Sequence, residues 1–373
     1  MVIKPVVEWK NPFCRIIGYI FLFPFSLFFG LMAECRNILF DLGFLEFRKF
    51  KTFIIGVGSL SVGGSGKTPL TEFLAIRLAH QGMRVGVISN GFRKTSKGTV
   101  IVSNGKAILE SVSRSGDEAY LMAMNFIDAG LEIPVISGSD RIQAVIICEL
   151  EFKCNVIILD DAFQYRKIIK SVECIVQDHY ESRFPLITLP AGRLREFKRN
   201  LKRADAVVVT KMPDNVSWLS DSSRWGTNVH ISRYRPAYLQ NWFEYEKKPL
   251  NLLENKKVVL FSALGYNESF INAASILCSK HQAPIVRMQE FQDHYRYDKE
   301  TLQKIFNWMK GQEPSEFLVL TTQKDAVKMK PEWIPAEWKP HVYFLKSEFS
   351  IESQIQFENL IKIPQIKYNN QPS

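Results

Sequence analysis

Residues Ser61-Val62-Gly63-Gly64-Ser65-Gly66-Lys67-Thr68 constrain this chain more than any other stretch. A strand-like run, Thr52–Val57, precedes them and a helix-like run, Leu70–His80, follows. A Gly-rich turn between strand and helix turns backbone N–H groups and the positive helix end toward phosphate oxygens. A Lys at its end reaches the outer phosphates, and the next hydroxyl residue ligates magnesium. The usual pattern opens on Gly, six residues before the Lys. This chain has Ser61 there. All eight residues from Ser61 to Thr68 are therefore expected to cradle a nucleotide, with Thr68 also on Mg2+.

The surrounding sequence fits an α/β protein. Short β-branched runs recur at Arg84–Ser89, Ile133–Ser137, Asn155–Leu159, Cys174–Gln177 and Ala206–Val209. Helix-length segments such as Gly116–Asn125 and Asp140–Glu149 separate several of them. Nearly continuous apolar strands alternating with helices mean a parallel sheet covered on both faces. A polar stretch, Pro213–Gly226, interrupts the pattern, and Val229–Trp242 reads as extended linker strands. A second set follows: Lys257–Ser262, Ser269–Lys280, Ile285–Met288, Lys299–Met309 and Phe317–Thr321. The expected fold is thus a P-loop NTPase-like parallel sheet core with a smaller second α/β lobe and an N-terminal hydrophobic helix. The expected divisions are 1–48, 49–225, 226–250 and 251–368.

The apolar run Ile16–Ala33 carries no charge, and Arg15 and Glu34-Cys35-Arg36 flank it. It is at the short limit for a membrane span, and Pro24 would kink it. A kinked helix lying in one leaflet, a full span and a buried core helix all remain open. The first is favoured, because it keeps the basic flanks on the side of the nucleotide loop, near anionic headgroups. The net charge of +10 points to an anionic partner. Six scattered cysteines without a C-x-x-C pair give zinc no support.

Several residues outside the loop carry chemistry. Asp160 and Asp161 end an apolar strand, where a P-loop enzyme holds magnesium. Asp117, in Ser115-Gly116-Asp117-Glu118, opens a helix and reads either as its cap or as a base on a hydroxyl. His294 lies in the charged, aromatic loop Phe291–Tyr297. The basic stretch from Arg193 through Arg195, Lys198, Arg199, Lys202 and Arg203 reads as a solvated helix, a phosphate clamp or a headgroup contact. Thr210-Lys211-Met212-Pro213-Asp214 departs from the base-reading loop of GTPases and reads as a strand end.

Seven segments together resemble the tetraacyldisaccharide 4′-kinase family: VGSLSVGGSGKTP (57–69), SGDE (115–118), GSDR (138–141), LDDAFQ (159–164), LPAGRLRE (189–196), FQDHY (291–295) and TTQKDAVK (321–328). The family shares the hydroxyl residue at position 61. The resemblance implies a kinase on the cytoplasmic face of the inner membrane of Gram-negative bacteria, in lipid A biosynthesis. It would use ATP and Mg2+ to phosphorylate the 4′-hydroxyl of a tetraacyldisaccharide 1-phosphate. It further implies Lys67 on phosphates, Thr68, Asp160 and Asp161 on Mg2+, and Asp117 as base with His294 orienting it. Arg195 would lie near the reacting phosphate and Gln164 in the nucleotide and substrate site. A monomer is expected, with no nucleic-acid partner.

Two departures stand out. The family's S-R-G-Y-G reads Ser89-Asn90-Gly91-Phe92-Arg93 here, so its substrate-contacting Arg and Tyr are missing. Its D-D-G-x-Q-H reads Asp160-Asp161-Ala162-Phe163-Gln164-Tyr165.

Overall fold

A computed structural model of the chain describes residues 11–92, 94–212, 228–264, 267–292 and 295–360. The expectations that rest on Arg93, His294, Asp214, the stretch 213–226 and the C-terminal tail lie outside these residues.

The chain begins with helix α1 (Pro12–Asp41) and then alternates. β1 (Phe53–Gly58) leads into α2 (Lys67–His80) and β2 (Val85–Ser89). Next come β3 (Val100–Asn104), α3 (Val112–Ser115), α4 (Asp117–Asp128), β4 (Pro134–Ser137), α5 (Arg141–Leu150) and β5 (Val156–Leu159). β6 (Val172–Asp178) and β7 (Ala206–Thr210) complete this part, and β8 (Val229–Asn241) and β9 (Lys247–Lys248) lead out of it. The second lobe holds β10 (Lys257–Ser262), α6 (Asn267–Lys280), β11 (Ile285–Glu290), α7 (Lys299–Trp308), β12 (Phe317–Thr321) and α8 (Gln323–Ala326). β13 (Val342–Ile351) and α9 (Gln354–Leu360) follow.

The first lobe is the expected parallel sheet, in the order β8-β7-β6-β1-β5-β2-β4-β3, with only the edge strand β3 antiparallel to its neighbour. β1, β5 and β2 are almost wholly buried because helices cover both faces. Leu70, Leu74 and Phe126 pack on one face, and Ala144, Val145 and Ile168 on the other. β1 lies between β6 and β5, so the loop after β1 and the carboxylates after β5 emerge side by side. That edge, outside the carboxyl ends of parallel strands, is where α/β sheets bind ligands.

The region read as linker strands is one 13-residue strand. β8 pairs with β7 through Val229–Ile231 and with β13 over most of its length, from Ser232↔Ile351 to Asn241↔Tyr343. β13 in turn pairs with β12 at Val342–Phe344. One hydrogen-bonded sheet therefore runs through both lobes. β13 returns the chain to the first lobe, where Phe357 of α9 is fully buried and Glu358 pairs with Arg77 of α2 at 2.7 Å.

α1 is a 30-residue helix with Pro24 inside it, and it runs past the charged flank at which the apolar run ends. Its buried positions are Gly18, Ser26, Gly30, Asn37 and Phe40. Its outward face carries Ile20, Phe21, Phe25, Phe28 and Met32, each at least 59% exposed. Apart from Phe40 near its end, small and polar residues face the protein and large apolar ones face away, the reverse of a soluble core helix. The buried-core reading therefore fails for α1.

Candidate functional site: a phosphate loop facing paired carboxylates

Lys67 is the first residue of α2, and Gly66 precedes it in the left-handed region at φ 95°. That conformation is open to Gly at little cost and turns the chain sharply into the helix. The carbonyl oxygens of the loop are taken from outside. Arg193 Nη2 donates to Val62 O at 2.9 Å, Lys211 Nζ to Gly64 O at 2.8 Å and Thr210 Oγ1 to Ser65 O at 2.7 Å. The N–H groups of Gly63, Gly64 and Gly66 have no acceptor among the described residues. With its carbonyls pulled back and its amides free, the loop is a concave donor surface suited to an anion.

Ser61 is buried, and its hydroxyl donates to the buried carboxylate of Glu181. Gln177 Nε2 donates to the same oxygen, and Arg193 lies 3.5 Å from the other. The residue that replaces the first Gly thus ties the loop to the segment after β6. Burial holds the Glu181 carboxyl above its ordinary range, and Arg193 opposes this.

Asp161 faces the loop. Its Oδ1 lies 3.6 Å from Lys67 Nζ and 2.8 Å from Arg195 Nη1. Burial works to raise its pKa, but Lys67 and Arg195 outweigh burial and hold the carboxylate below its usual range. Asp160 is almost fully buried and accepts from Thr71 Oγ1 at 3.2 Å. Burial, together with the neighbouring Asp161, pushes its carboxyl up to about 7. The backbone of this turn is held by Arg141, whose Nη2 donates to the carbonyls of Asp160 and Asp161, each at 2.9 Å.

The donor set fits magnesium. Asp160 has little cationic compensation of its own, and Asp161 and the Thr68 hydroxyl add oxygen donors. Mg2+ is commonly held by one or two carboxylates, with substrate phosphates and water completing the shell.

Gln164 connects this array to the rest of the molecule. It accepts from Arg195 at 3.2 Å, and its Nε2 donates to Ser59 O at 3.0 Å and to Glu196 Oε1 at 3.1 Å. Glu196 is completely buried and also binds Arg203 at 3.0 Å and Asn37 of α1 at 2.6 Å. The basic stretch is therefore not a freely solvated helix. Residues 198–203 form a 3-10 turn in which Arg199 pairs with Glu34 at 2.9 Å and Arg203 lies over the Phe163 ring.

Asp117 is the first residue of α4 and does not cap it, since the N-cap is Gly116 and the cap makes no side-chain hydrogen bond. Its Oδ2 lies 3.4 Å from Lys328 of the second lobe. The structure brings Lys67, Asp161, Arg195 and Gln164 into one connected array, with Asp160 beside it.

The profile described as tetraacyldisaccharide-1-P 4′-kinase matches residues 19–363. The chain belongs to that family.

Within the family, the tetraacyldisaccharide 4′-kinase of Aquifex aeolicus is 31% identical over 340 residues, covering 91% of this chain and 97% of the relative. That of Halothermothrix orenii is 30% identical and covers 89% of each chain. A crystal structure described as the "apo" form of LpxK from Aquifex aeolicus in complex with ATP matches with TM-score 0.72 and 30% identity, over 91% of this chain.

Four residues that shape the loop have a role that sequence reading did not assign. Lys211 and Thr210 read as a strand end, yet both grip loop carbonyls, and Lys211 also binds Asp178 at 2.7 Å. Their signal was position: Thr210 ends β7 and Lys211 follows it, on the ligand edge of the sheet. Arg193 was seen only as part of a basic stretch. Glu181, 120 residues from its partner Ser61, has no local signature.

Proposed function

We propose that this chain transfers the γ-phosphate of ATP to the 4′-hydroxyl of a tetraacyldisaccharide 1-phosphate at a membrane surface, giving lipid IVA. The observation that carries the chemistry is the Lys67–Asp161–Arg195 array at the mouth of an amide-lined loop. Phosphoryl transfer needs fixed positive charge and donors around a group whose negative charge spreads over its oxygens. Lys67, Arg195 and the loop amides supply both without rearrangement. Thr68, Asp160 and Asp161 would hold Mg2+, which when bound neutralises phosphate charge. Ser61 through Thr68 line the phosphates. Gln164 keeps Arg195 aimed at them.

Asp117, with His294 assigned as its orienting partner by the family resemblance, takes the proton of the 4′-hydroxyl. The hydroxyl oxygen forms its bond to the γ-phosphorus as the bond to the β–γ bridging oxygen breaks, and ADP leaves. Membrane attachment follows from the outward Phe, Ile and Met face of α1 together with the basic balance of the chain, since stable anchoring takes two signals. The reading places the enzyme on the cytoplasmic face of the inner membrane.

The deciding experiment incubates the full chain with γ-labelled ATP and a tetraacyldisaccharide 1-phosphate in mixed micelles, with and without Mg2+. Labelled lipid that requires Mg2+ is expected. Nucleotide hydrolysis with no labelled lipid would overturn the function.

A further inference from the structure

The segment Thr321-Thr322-Gln323-Lys324-Asp325-Ala326-Val327-Lys328 belongs to the second lobe, and the chemistry above gives it no role. β12 ends at Thr321, and the Thr322 side chain caps the short turn α8 by accepting from Asp325 N. Asp325 is completely buried. Its Oδ2 accepts from Ala263 N at 3.0 Å and from Thr322 Oγ1 at 2.6 Å. Its Oδ1 has no hydrogen bond and lies 3.8 Å from Lys328 Nζ. Lys328, with 8% of its side chain exposed, reaches from there across to Asp117 Oδ2 at 3.4 Å. The pairing repeats one step away, where Lys324 Nζ lies 3.3 Å from Glu118 Oε1.

A buried ammonium group is costly unless carboxylates compensate it. Lys328 has two, one from each lobe, yet makes no directed hydrogen bond to either. A stability element would be expected to satisfy its donors better. Asp325 is held firmly by a backbone amide and a hydroxyl, so it anchors the ammonium on the second lobe. Asp117 heads α4 and faces that ammonium from the first lobe. The anchored cation lies 3.4 Å from that carboxylate and bears on where it points.

We propose that Lys328 is a positioning residue for Asp117. Asp325 holds its ammonium in place, and the ammonium keeps the Asp117 carboxylate aimed at the acceptor hydroxyl. The inference rests on Asp117 being the base.

The test measures lipid phosphorylation by the full-length wild type and by D117N, K328M, K328R and D117N/K328M. A Mg-ATP-induced rise in Tm confirms that each variant folds. K328M should lower kcat about ten- to a hundredfold, as expected for a misplaced reacting group. KM for ATP should stay within about twofold, since the phosphate loop is untouched. K328R should recover a measurable part of kcat. In the D117N background K328M should add nothing, because groups acting as one unit are not additive. Unchanged kcat in K328M, or losses that multiply in the double variant, would overturn the proposal. If K328M shows no Mg-ATP shift in Tm, K328R decides, and a folded but fully inactive K328R counts against it. D117N alone reports on the base: wild-type turnover there would sink that assignment independently of Lys328.

Discussion

Asn37 Nδ2, on the apolar helix α1, donates a 2.6 Å hydrogen bond to Glu196, the residue next to Arg195. α1 is thereby connected to the chemistry through one buried carboxylate, which Gln164 and Arg203 also bind. Asn37→Leu leaves a lone pair of buried Glu196 unmatched. It should lower stability by about 1–3 kcal/mol and reduce lipid phosphorylation more than Mg-ATP binding. Denaturant unfolding and steady-state kinetics check both; equal loss of the two activities would contradict the connection.

Asp161 is shared by two cations, Lys67 and Arg195. Asp161→Asn leaves those charges facing each other without the carboxylate between them. Turnover should fall about 10²–10³-fold, the scale of losing one fixed electrostatic contact, and the Mg2+ dependence should move to higher concentration. A Mg2+ titration of labelled-lipid formation measures both.

Ser61→Gly restores the usual first loop residue, yet here it should harm the protein. It removes a donor from buried Glu181 and should cost about 1–3 kcal/mol of stability, with a raised KM for ATP. A Ser61→Gly enzyme as stable as the wild type would show that the Ser61–Glu181 contact does not matter.

Glu72 of α2 accepts from Asn125 Nδ2 at 2.8 Å, and Asn125 Oδ1 accepts from Gln323 Nε2 at 2.7 Å and Lys346 Nζ at 2.6 Å. Burial raises the Glu72 pKa above its ordinary 4.5, against the pull of Lys346 and the Asn125 hydrogen bond. Between 4.5 and the raised value the folded protein binds more proton than the unfolded chain. Stability from this group is therefore full below that window and declines as pH rises through it. Glu72→Gln cannot titrate, so the Tm of wild type minus that of the variant should decrease as pH rises from 4.5. Parallel Tm–pH curves would exclude the effect.

Phe21, Phe25 and Phe28 stand on the outward face of α1. Phe21→Glu/Phe28→Glu should release the protein from anionic phospholipid vesicles in co-sedimentation and leave the Mg-ATP-induced rise in Tm unchanged. Undiminished vesicle binding would show that this face is not the attachment surface.

The legible parts of this chain were those with local pattern. The apolar runs of β1, β5, β6 and β7 read directly, because helices cover both sheet faces and most positions are apolar. Lys67, Asp160 and Asp161 were visible because strand ends place them. β13 was not, since Lys346-Ser347-Glu348 interrupts it where it crosses between the lobes with β8 as its partner. The inward face of α1 was hidden as well. Ser26, Gly30 and Asn37 look like interruptions of an apolar helix until the loop they dock on is known: Ser26 Oγ accepts from Ala191 N at 2.8 Å, and any side chain at position 30 would collide with Phe197. Contacts made across more than a hundred residues, such as Ser61 with Glu181, leave no periodic trace.

The β8–β13 ladder bears on how the enzyme can move. A flexible tether between lobes would permit a free swivel. Here the lobes share a backbone-paired ladder with one irregularity, between Lys346 and Ser347, so any opening must bend two paired strands. The restoring force is then intrinsic to the paired strands. Substitutions that stiffen or slacken that pair, such as Gly within Tyr234–Tyr238, would therefore change turnover from a distance without touching a reacting group.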